Sequence, residues 1–378
     1  MTPEHQRTLE LAEQSIGLSE PNPRVGCIIQ TRTGQRVEGH TQEAGGHHAE
    51  AMALARARVA GLDLSGATAW VSLEPCSHQG RTPACSQALI DAGITRVHVA
   101  CRDPNPLVAG RGLAQLRESG VAVEVDQGDW SRAARELNIG FMSRMERGRP
   151  WVRMKIAASL DGTTALLNGR SQWITGAAAR SDGHAWRRRA GAVLTGIGTV
   201  RDDDPRLDVR LVQTVHQPLR VVVDSHLSIS PQARVLSPPG RCLIYTAVQD
   251  GPAAHSLRPL PGVELCPLPT AAGSDKTDLG ALMQDLARRG INELHVEAGE
   301  KLNGSLLRAG LVDELLLYLA PRLLGRGRGL AAIFDAPLDS LDAHLPLQFI
   351  EAQTIGEDLR VRALTASGQS AWSAIDSA

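Results

Sequence analysis

Short apolar runs alternate with helical stretches along almost the whole chain, and that alternation leaves few folds open. Residues 2–18 read as a helix, with Thr2 able to cap it and Pro3 suited to its first turn. After the loop Pro21-Asn22-Pro23 come a strand at 25–30, an Ala-rich helix at 48–60 closed by Gly61, a strand at 67–73, a helix at 85–92 closed by Gly93 and a strand at 96–100. A helical stretch at 130–145 follows. Elements in this order predict an α/β layered sheet.

The same alternation restarts further on. Val152, Met154 and Ile156 interleave with Arg153 and Lys155, which predicts a strand with one polar edge. Strands are expected at 192–195, 220–224, 242–245, 294–297 and 314–320, with helices near 177–190, 279–289 and 301–309. The stretch 230–278 is rich in Pro, Gly and Ser and reads as loop-heavy around its strand. A chain of 378 residues favours two domains. The charged connector Glu146-Arg147-Gly148-Arg149-Pro150 places them at 1–146 and 150–365, with 366–378, small and polar, as a flexible tail.

Composition excludes several functions. The formal net charge is −1 and aromatics are 3% of the chain, so neither a basic face nor a stacking channel for nucleic acid is expected. No run approaches the ~20 apolar residues of a membrane span. Glu4, Arg7, Glu10 and Glu13 interrupt any secretory leader in the first residues. The six cysteines are dispersed, without a disulfide framework. We therefore expect a cytoplasmic enzyme of small molecules, with neither nucleic-acid nor membrane partners.

Three residues carry metal chemistry. His48 and Cys85 each stand at a predicted helix start, and Cys76 follows a predicted strand. Ligands bind at such junctions in open α/β sheets. An imidazole and two thiolates leave the fourth tetrahedral position of Zn²⁺ for water, whose pKa the ion lowers to about 7. Glu50, two residues beyond His48, can shuttle protons as general base and acid. Zinc deaminases pair His-x-Glu with Pro-Cys-x-x-Cys. Here eight residues, Ser77 to Ala84, separate the cysteines. A structural site stays open as an alternative, because His47 and His78 can offer a fourth ligand.

The motifs Pro21-Asn22-Pro23-x-Val25-Gly26, His48-Ala49-Glu50, Leu73-Glu74-Pro75-Cys76-Ser77-His78, Gly80-Arg81-Thr82-Pro83-x-Cys85 and Asp103-Pro104-Asn105-Pro106 closely resemble the riboflavin-biosynthesis deaminases. Ser159-Leu160-Asp161-Gly162, Ser171-Gln172-Trp173-Ile174-Thr175, Asp203-Asp204-Pro205 and Val296-Glu297-Ala298-Gly299 resemble the reductase half of the same bifunctional family. The resemblance runs from about residue 5 to about 365. It implies a cytidine-deaminase-like α/β/α sandwich followed by a dihydrofolate-reductase-like α/β domain, one zinc, NADPH, and association into a dimer or tetramer. It also implies loss of a pyrimidine 2-amino group, then reduction of the ribosyl C1′. The sequence departs from the family at His47 and Ala84, where proline is usual, and at His40-Thr41, where an aromatic and then histidine are usual.

By the same resemblance, Asn22, Arg81, Thr82, Asp103 and Asn105 line the deaminase pocket. Ala157, Trp173, Thr199, Asp203, Ser225, Gly299, Glu300, Lys301, Leu302, Asn303, Gly304 and Ser305 fall on NADP positions. Ser171, Arg187, Leu207, Arg210 and Glu297 fall on substrate positions, and Lys155 is within their reach. Read alone, Arg187 belongs to the run Arg187-Arg188-Arg189 and better suits a solvated helix face. Trp173 can stack on a ring or fill a core. No Gly-x-Gly-x-x-Gly follows a strand, so a Rossmann domain is not expected. The competing readings are a nucleic-acid or nucleoside deaminase with a degenerate second domain, and a non-enzymatic zinc module. Glu50 discriminates against the second, since a purely structural site has no use for that carboxylate.

Overall fold

The computed structural model describes residues 1–77, 84–237, 239–334 and 338–376. Two compact units divide between Gly148 and Arg149, the second ending at Ser373 within the closing helix.

The first unit runs α1 (Pro3–Glu13), β1 (Gly26–Gln30), β2 (Arg36–His40), α2 (Ala49–Val59), β3 (Thr68–Val71), α3 (Cys85–Asp91), β4 (Arg96–Val99), α4 (Arg111–Glu118), β5 (Ala122–Val125), α5 (Asp129–Leu137) and α6 (Ile139–Arg147). Its five strands lie in the order β2-β1-β3-β4-β5. β1 runs antiparallel to both neighbours, and β3, β4 and β5 are parallel. Two glycines bring helices close to opposite faces. A Cβ on Gly26 would meet the Thr8 carbonyl oxygen of α1 at 2.0 Å, and one on Gly39 the Ala49 carbonyl oxygen of α2 at 2.1 Å. Gly39 pairs with Cys27, one residue beyond Gly26, and neighbours on a strand face opposite sides. Helices therefore cover both faces, a three-layer sandwich. β2, α4 and β5 were not expected from the sequence; each is short, and β5 alternates only between exposed and half-buried residues.

The second unit contains β6 (Trp151–Ser159), β7 (Ala165–Leu166), α7 (Ala177–Arg189), β8 (Ala192–Gly196), α8 (Ile197–Asp203), β9 (Leu219–Val223), β10 (Cys242–Thr246), α9 (Pro252–Leu257), β11 (Val263–Pro267), α10 (Leu279–Arg288), β12 (Glu293–Val296), α11 (Glu300–Arg308), β13 (Glu314–Ala320), β14 (Gly327–Arg328), β15 (Gln348–Ile355), β16 (Asp358–Leu364) and the closing helix α12 (Ala366–Asp376). Nine strands form one sheet, β11-β10-β9-β8-β12-β6-β13-β16-β15. The first seven in that order are parallel, and β16 and β15 add antiparallel at one edge.

Three expectations are corrected here. The polar side of β6 is no solvated edge: Arg153 is 1% exposed and bridges Glu293 at 2.8 Å and Glu314 at 2.9 Å. The segment 230–278 holds α9 and β11 as well as the expected strand β10. The supposed flexible tail is helical over Ala366–Asp376. Its small residues serve close packing, since a Cβ on Gly368 would meet the Asp313 carbonyl oxygen at 2.0 Å. The Ser367 hydroxyl bonds the Asp313 carboxylate at 2.9 Å.

Candidate functional site

In the first unit the chain brings His48, Cys76 and Cys85 together. His48 is the extended residue before α2, Cys76 follows β3 through Glu74-Pro75, and Cys85 opens α3. The Cys76 and Cys85 sulfurs lie 3.6 and 3.4 Å from His48 Nδ1. All three donors fall within 4.8 Å of one another. Zn–S bonds of about 2.3 Å and a Zn–N bond of about 2.0–2.1 Å, at the tetrahedral angle, imply S···N edges of about 3.5 Å, so the donor set fits zinc. The Cys85 N–H points at Cys76 Sγ (3.4 Å), and the Cys76 carbonyl accepts from the Ser86 N–H (3.1 Å) and hydroxyl (3.0 Å). The Cys85 thiol and the His48 ring, hydrogen-bonded to its sulfur, hold Cys76 below the ordinary thiol range.

Glu50 lies in the first turn of α2 and is 3% exposed. Burial, reinforced by the Cys76 thiolate, pushes its carboxyl up to about 7. A carboxyl poised near neutrality can both take and return a proton. Among the described residues no further His, Cys, Asp or Glu joins the three donors. His47 is exposed, and His78 lies outside the described residues, as do Arg81 and Thr82. Asn22 sits in a turn, its N–H bonded to the Ser19 carbonyl at 2.8 Å. Asp103 is 7% exposed, its carboxyl pushed up to about 7 by burial, and its Oδ1 accepts the Asn105 N–H at 2.8 Å.

Two residues of this unit were not singled out from the sequence. Asn138 clamps the loop after Asn22: its Oδ1 accepts the Arg24 N–H at 2.7 Å and its Nδ2 donates to the Arg24 carbonyl at 2.8 Å. Glu74, quoted above only as part of a motif, is 3% exposed and accepts four backbone N–H groups. Its place directly before Pro75-Cys76 was the available signal.

In the second unit a cleft of about 1550 Å³ opens where β6, β8, β9 and β12 end, the position expected for ligands in parallel α/β sheets. It is lined by Lys155, Ala157, Ser171, Trp173, Arg187, Thr199, Asp203, Leu207, Arg210, Ser225, Glu297, Gly299, Glu300, Lys301, Leu302, Asn303 and Ser305. Gly304 is the exception. A Cβ there would meet the Ala332 carbonyl oxygen at 1.9 Å, so this glycine serves packing against 332. Gly196 and Gly299 precede α8 and α11, and no side chain caps either helix. Their backbone N–H groups suit a phosphate.

Two further expectations change. Trp173 is 62% exposed and so is no core residue; the Arg180 guanidinium sits 4.7 Å from its ring. Arg187 is not solvated. It binds both oxygens of Glu297 and donates to the Asp208 carbonyl at 2.9 Å. Lys155 Nζ approaches Glu297 at 3.8 Å. Burial alone would raise the Glu297 carboxyl, but Arg187 and Lys155 hold it well below the usual carboxylate range. Arg210 and Arg206 bind Asp208 at 2.5 and 3.0 Å, and nearly half of each side chain stays exposed. Leu207 turns its side chain into the core, 3% exposed.

A cysteine–histidine zinc corner beside a buried glutamate, joined in one chain to a parallel sheet with a glycine-lined cleft, defines a two-domain zinc deaminase and nucleotide-dependent reductase. The comparisons agree. Residues 3–101 match the cytidine and deoxycytidylate deaminase zinc-binding region, and residues 150–361 match the RibD C-terminal domain. Riboflavin biosynthesis protein RibD of Escherichia coli is 42% identical, the match covering 93% of this chain and 96% of that protein. That of Aquifex aeolicus is 38% identical over 93% and 94%. Acinetobacter baumannii RibD superposes with a TM-score of 0.85 at 38% identity, covering 96% and 98% of the two chains. A Thermotoga maritima deaminase/reductase superposes with a TM-score of 0.84 at 30% identity and the same coverage.

The chain belongs to the RibD family. It is a bifunctional riboflavin biosynthesis enzyme, a zinc-dependent deaminase and NADPH-dependent reductase acting on a small molecule. Among the described residues no helix is long and apolar enough to cross a membrane.

Proposed function

We propose that the first unit deaminates 2,5-diamino-6-(5-phosphoribosylamino)pyrimidin-4(3H)-one at its 2-amino group, and that the second reduces the ribosyl C1′ to give 5-amino-6-(5-phosphoribitylamino)uracil. The Thermotoga maritima relative carries the corresponding double name, diaminohydroxyphosphoribosylaminopyrimidine deaminase/5-amino-6-(5-phosphoribosylamino)uracil reductase. The observation that carries the reading is the His48–Cys76–Cys85 triangle with Glu50 beside it. His48, Cys76 and Cys85 would hold zinc, which when bound lowers the pKa of a water to about 7. Glu50 takes a proton from the attacking water and returns it to the departing ammonia. Asn22, Arg81, Thr82, Asp103 and Asn105 are assigned to the pyrimidine and its substituents.

In the second unit NADPH supplies hydride, and the protein's part is alignment. Ala157, Trp173, Thr199, Asp203, Ser225 and the Gly299 turn are assigned to the cofactor. Ser171, Lys155 and Glu297 are assigned to the ribosyl end. Arg187 already spends its fork on Glu297, so it orients that carboxylate. Arg210, with Arg206 beside it, is the open guanidinium for the substrate phosphate. Oligomerisation and a cytoplasmic setting belong to the same proposal. The exposed edge strand β15, with Phe349 73% exposed, is a surface a second copy can cover.

The direct test is incubation with the diaminopyrimidine substrate, with and without NADPH, following ammonia and cofactor oxidation separately. Ammonia should appear without NADPH, and cofactor oxidation only once deamination has begun. Purified protein should carry about one zinc per chain, and acidification should release it, because both thiols must ionise to bind. A zinc-free but deaminating protein would end this reading. Arg210→Ala should raise KM for the phosphorylated intermediate by about tenfold while moving the NADPH KM by less than about twofold. Equal losses for both would remove Arg210 from the substrate end.

A further inference from the structure

We propose that Glu74 is the positioning residue of the deaminase site, clamping the loop that carries Asp103 and Asn105 against the metal corner. Its two carboxylate oxygens divide four N–H donors. Oε2 accepts from Asp103 (3.2 Å) and Gly110 (3.0 Å), and Oε1 from Gly112 (3.0 Å) and Leu113 (3.3 Å). Gly112 and Leu113 are the second and third residues of α4, whose own N-cap, Gly110, has no side chain to offer and takes φ +88°. Glu74 thus caps α4 from the strand exit, where the helix dipole also favours an anion. The loop has no slack on its other side. A Cβ on Gly112 would meet the Pro75 carbonyl oxygen at 1.9 Å, one peptide from Cys76. Asp103 lies within electrostatic range of Cys76 and His48. One buried side chain therefore ties the metal-bearing segment to the loop opposite it.

Only a carboxylate suits the task. An amide at this position would aim an N–H₂ donor at two N–H groups, since glutamine has one acceptor oxygen. Shortening to aspartate pulls the acceptors away from both halves of the loop. The proposal rests on the reading of Asp103 and Asn105 as substrate-facing, and its test separates the two. In the full-length zinc enzyme, Glu74→Gln should raise the deamination KM about tenfold, leave kcat within about twofold, and leave zinc content and the reductase step unchanged. Combined with Asp103→Asn, it should add little to the larger single effect, because both act through one loop. Unchanged deamination in Glu74→Gln, loss of zinc from it, or full additivity would overturn the clamp. An Asp103→Asn enzyme with unaltered KM would instead sink the substrate assignment of the loop, and the route given to Glu74 with it. Should Glu74→Gln not fold, amide exchange in the native enzyme decides. The Gly110, Gly112 and Leu113 amides should exchange slowly, and fast exchange there would overturn the clamp.

Discussion

Glu50→Gln will keep its zinc and lose deamination, by about 10²-fold or more, while NADPH-dependent reduction of the deaminated intermediate continues at the native rate. The substitution preserves size and removes only the ability to carry a proton. Glu50 is no member of the donor triangle, so metal content should stay at about one per chain. Its surroundings explain the size of the effect. Buried beside the Cys76 thiolate, the carboxyl sits near neutrality and can release a proton to ammonia as readily as it takes one from water. An amide does neither. The two units carry separate chemistry, so the reductase assay serves as the internal control. Ammonia release at the native rate from Glu50→Gln would refute the assigned role.

Arg153→Met will destabilise the second unit by about 3–5 kcal/mol. Arg153 lies between Glu293 and Glu314, both 1% or less exposed, with the Trp186 ring 4.3 Å from its guanidinium carbon. Arg189 also binds Glu293 at 2.9 Å and Arg362 binds Glu314 at 2.7 Å. Removing the central cation leaves two buried carboxylates with too little compensation, which costs more than the intact group contributes. A matching acid sensitivity follows. Burial would raise the Glu314 carboxyl, but Arg153 and Arg362 outweigh it and bring it from an ordinary 4.5 to about 2. A depressed carboxyl contributes stability above its unfolded pKa and loses it as pH falls toward the folded one. Native stability should therefore decline between about pH 4.5 and 2, and the variant, lacking one of the two cations, should decline over a narrower span. Urea melts across that range measure both effects. A loss below about 1 kcal/mol would mean that Arg189 and Arg362 already neutralise the acids.

Much of the catalytic chemistry was legible in the sequence. Zinc accepts a short menu of donors, so His48, Cys76 and Cys85 at element junctions already pointed to an ion, and Glu50 was the candidate proton carrier that the fold buries beside them. Motif resemblance pointed to the cleft residues, and all but Gly304 line it. That glycine shows the limit of such transfer: it lies inside α11 and packs against the backbone at 332 instead of lining the cleft. Elements without a buried apolar run or a capping residue were least visible. β5 is exposed or half-buried throughout and so has no apolar run, and α4 starts at an uncapped glycine.

Side-chain partners were the other gap, and they depend on which elements come to lie over one another. Arg153 and Lys155 alternate with apolar residues as in any half-solvated strand. Arg153 is nonetheless buried and Lys155 half-buried, where Glu293, Glu297 and Glu314 arrive from β12, its exit and β13 with opposite charge. Arg187 sits in a run of three arginines that reads as surface, yet Glu297, 110 positions away, claims it. Glu74 carries no local sign that four N–H groups of a distant loop converge on it. A residue's type and its period are local properties, so the chain alone determined which atoms can bind a metal or carry a proton. Desolvation and pairing arise between segments far apart in sequence, and only the folded arrangement decided which charges are buried, what holds them, and which arginine stays exposed at the cleft.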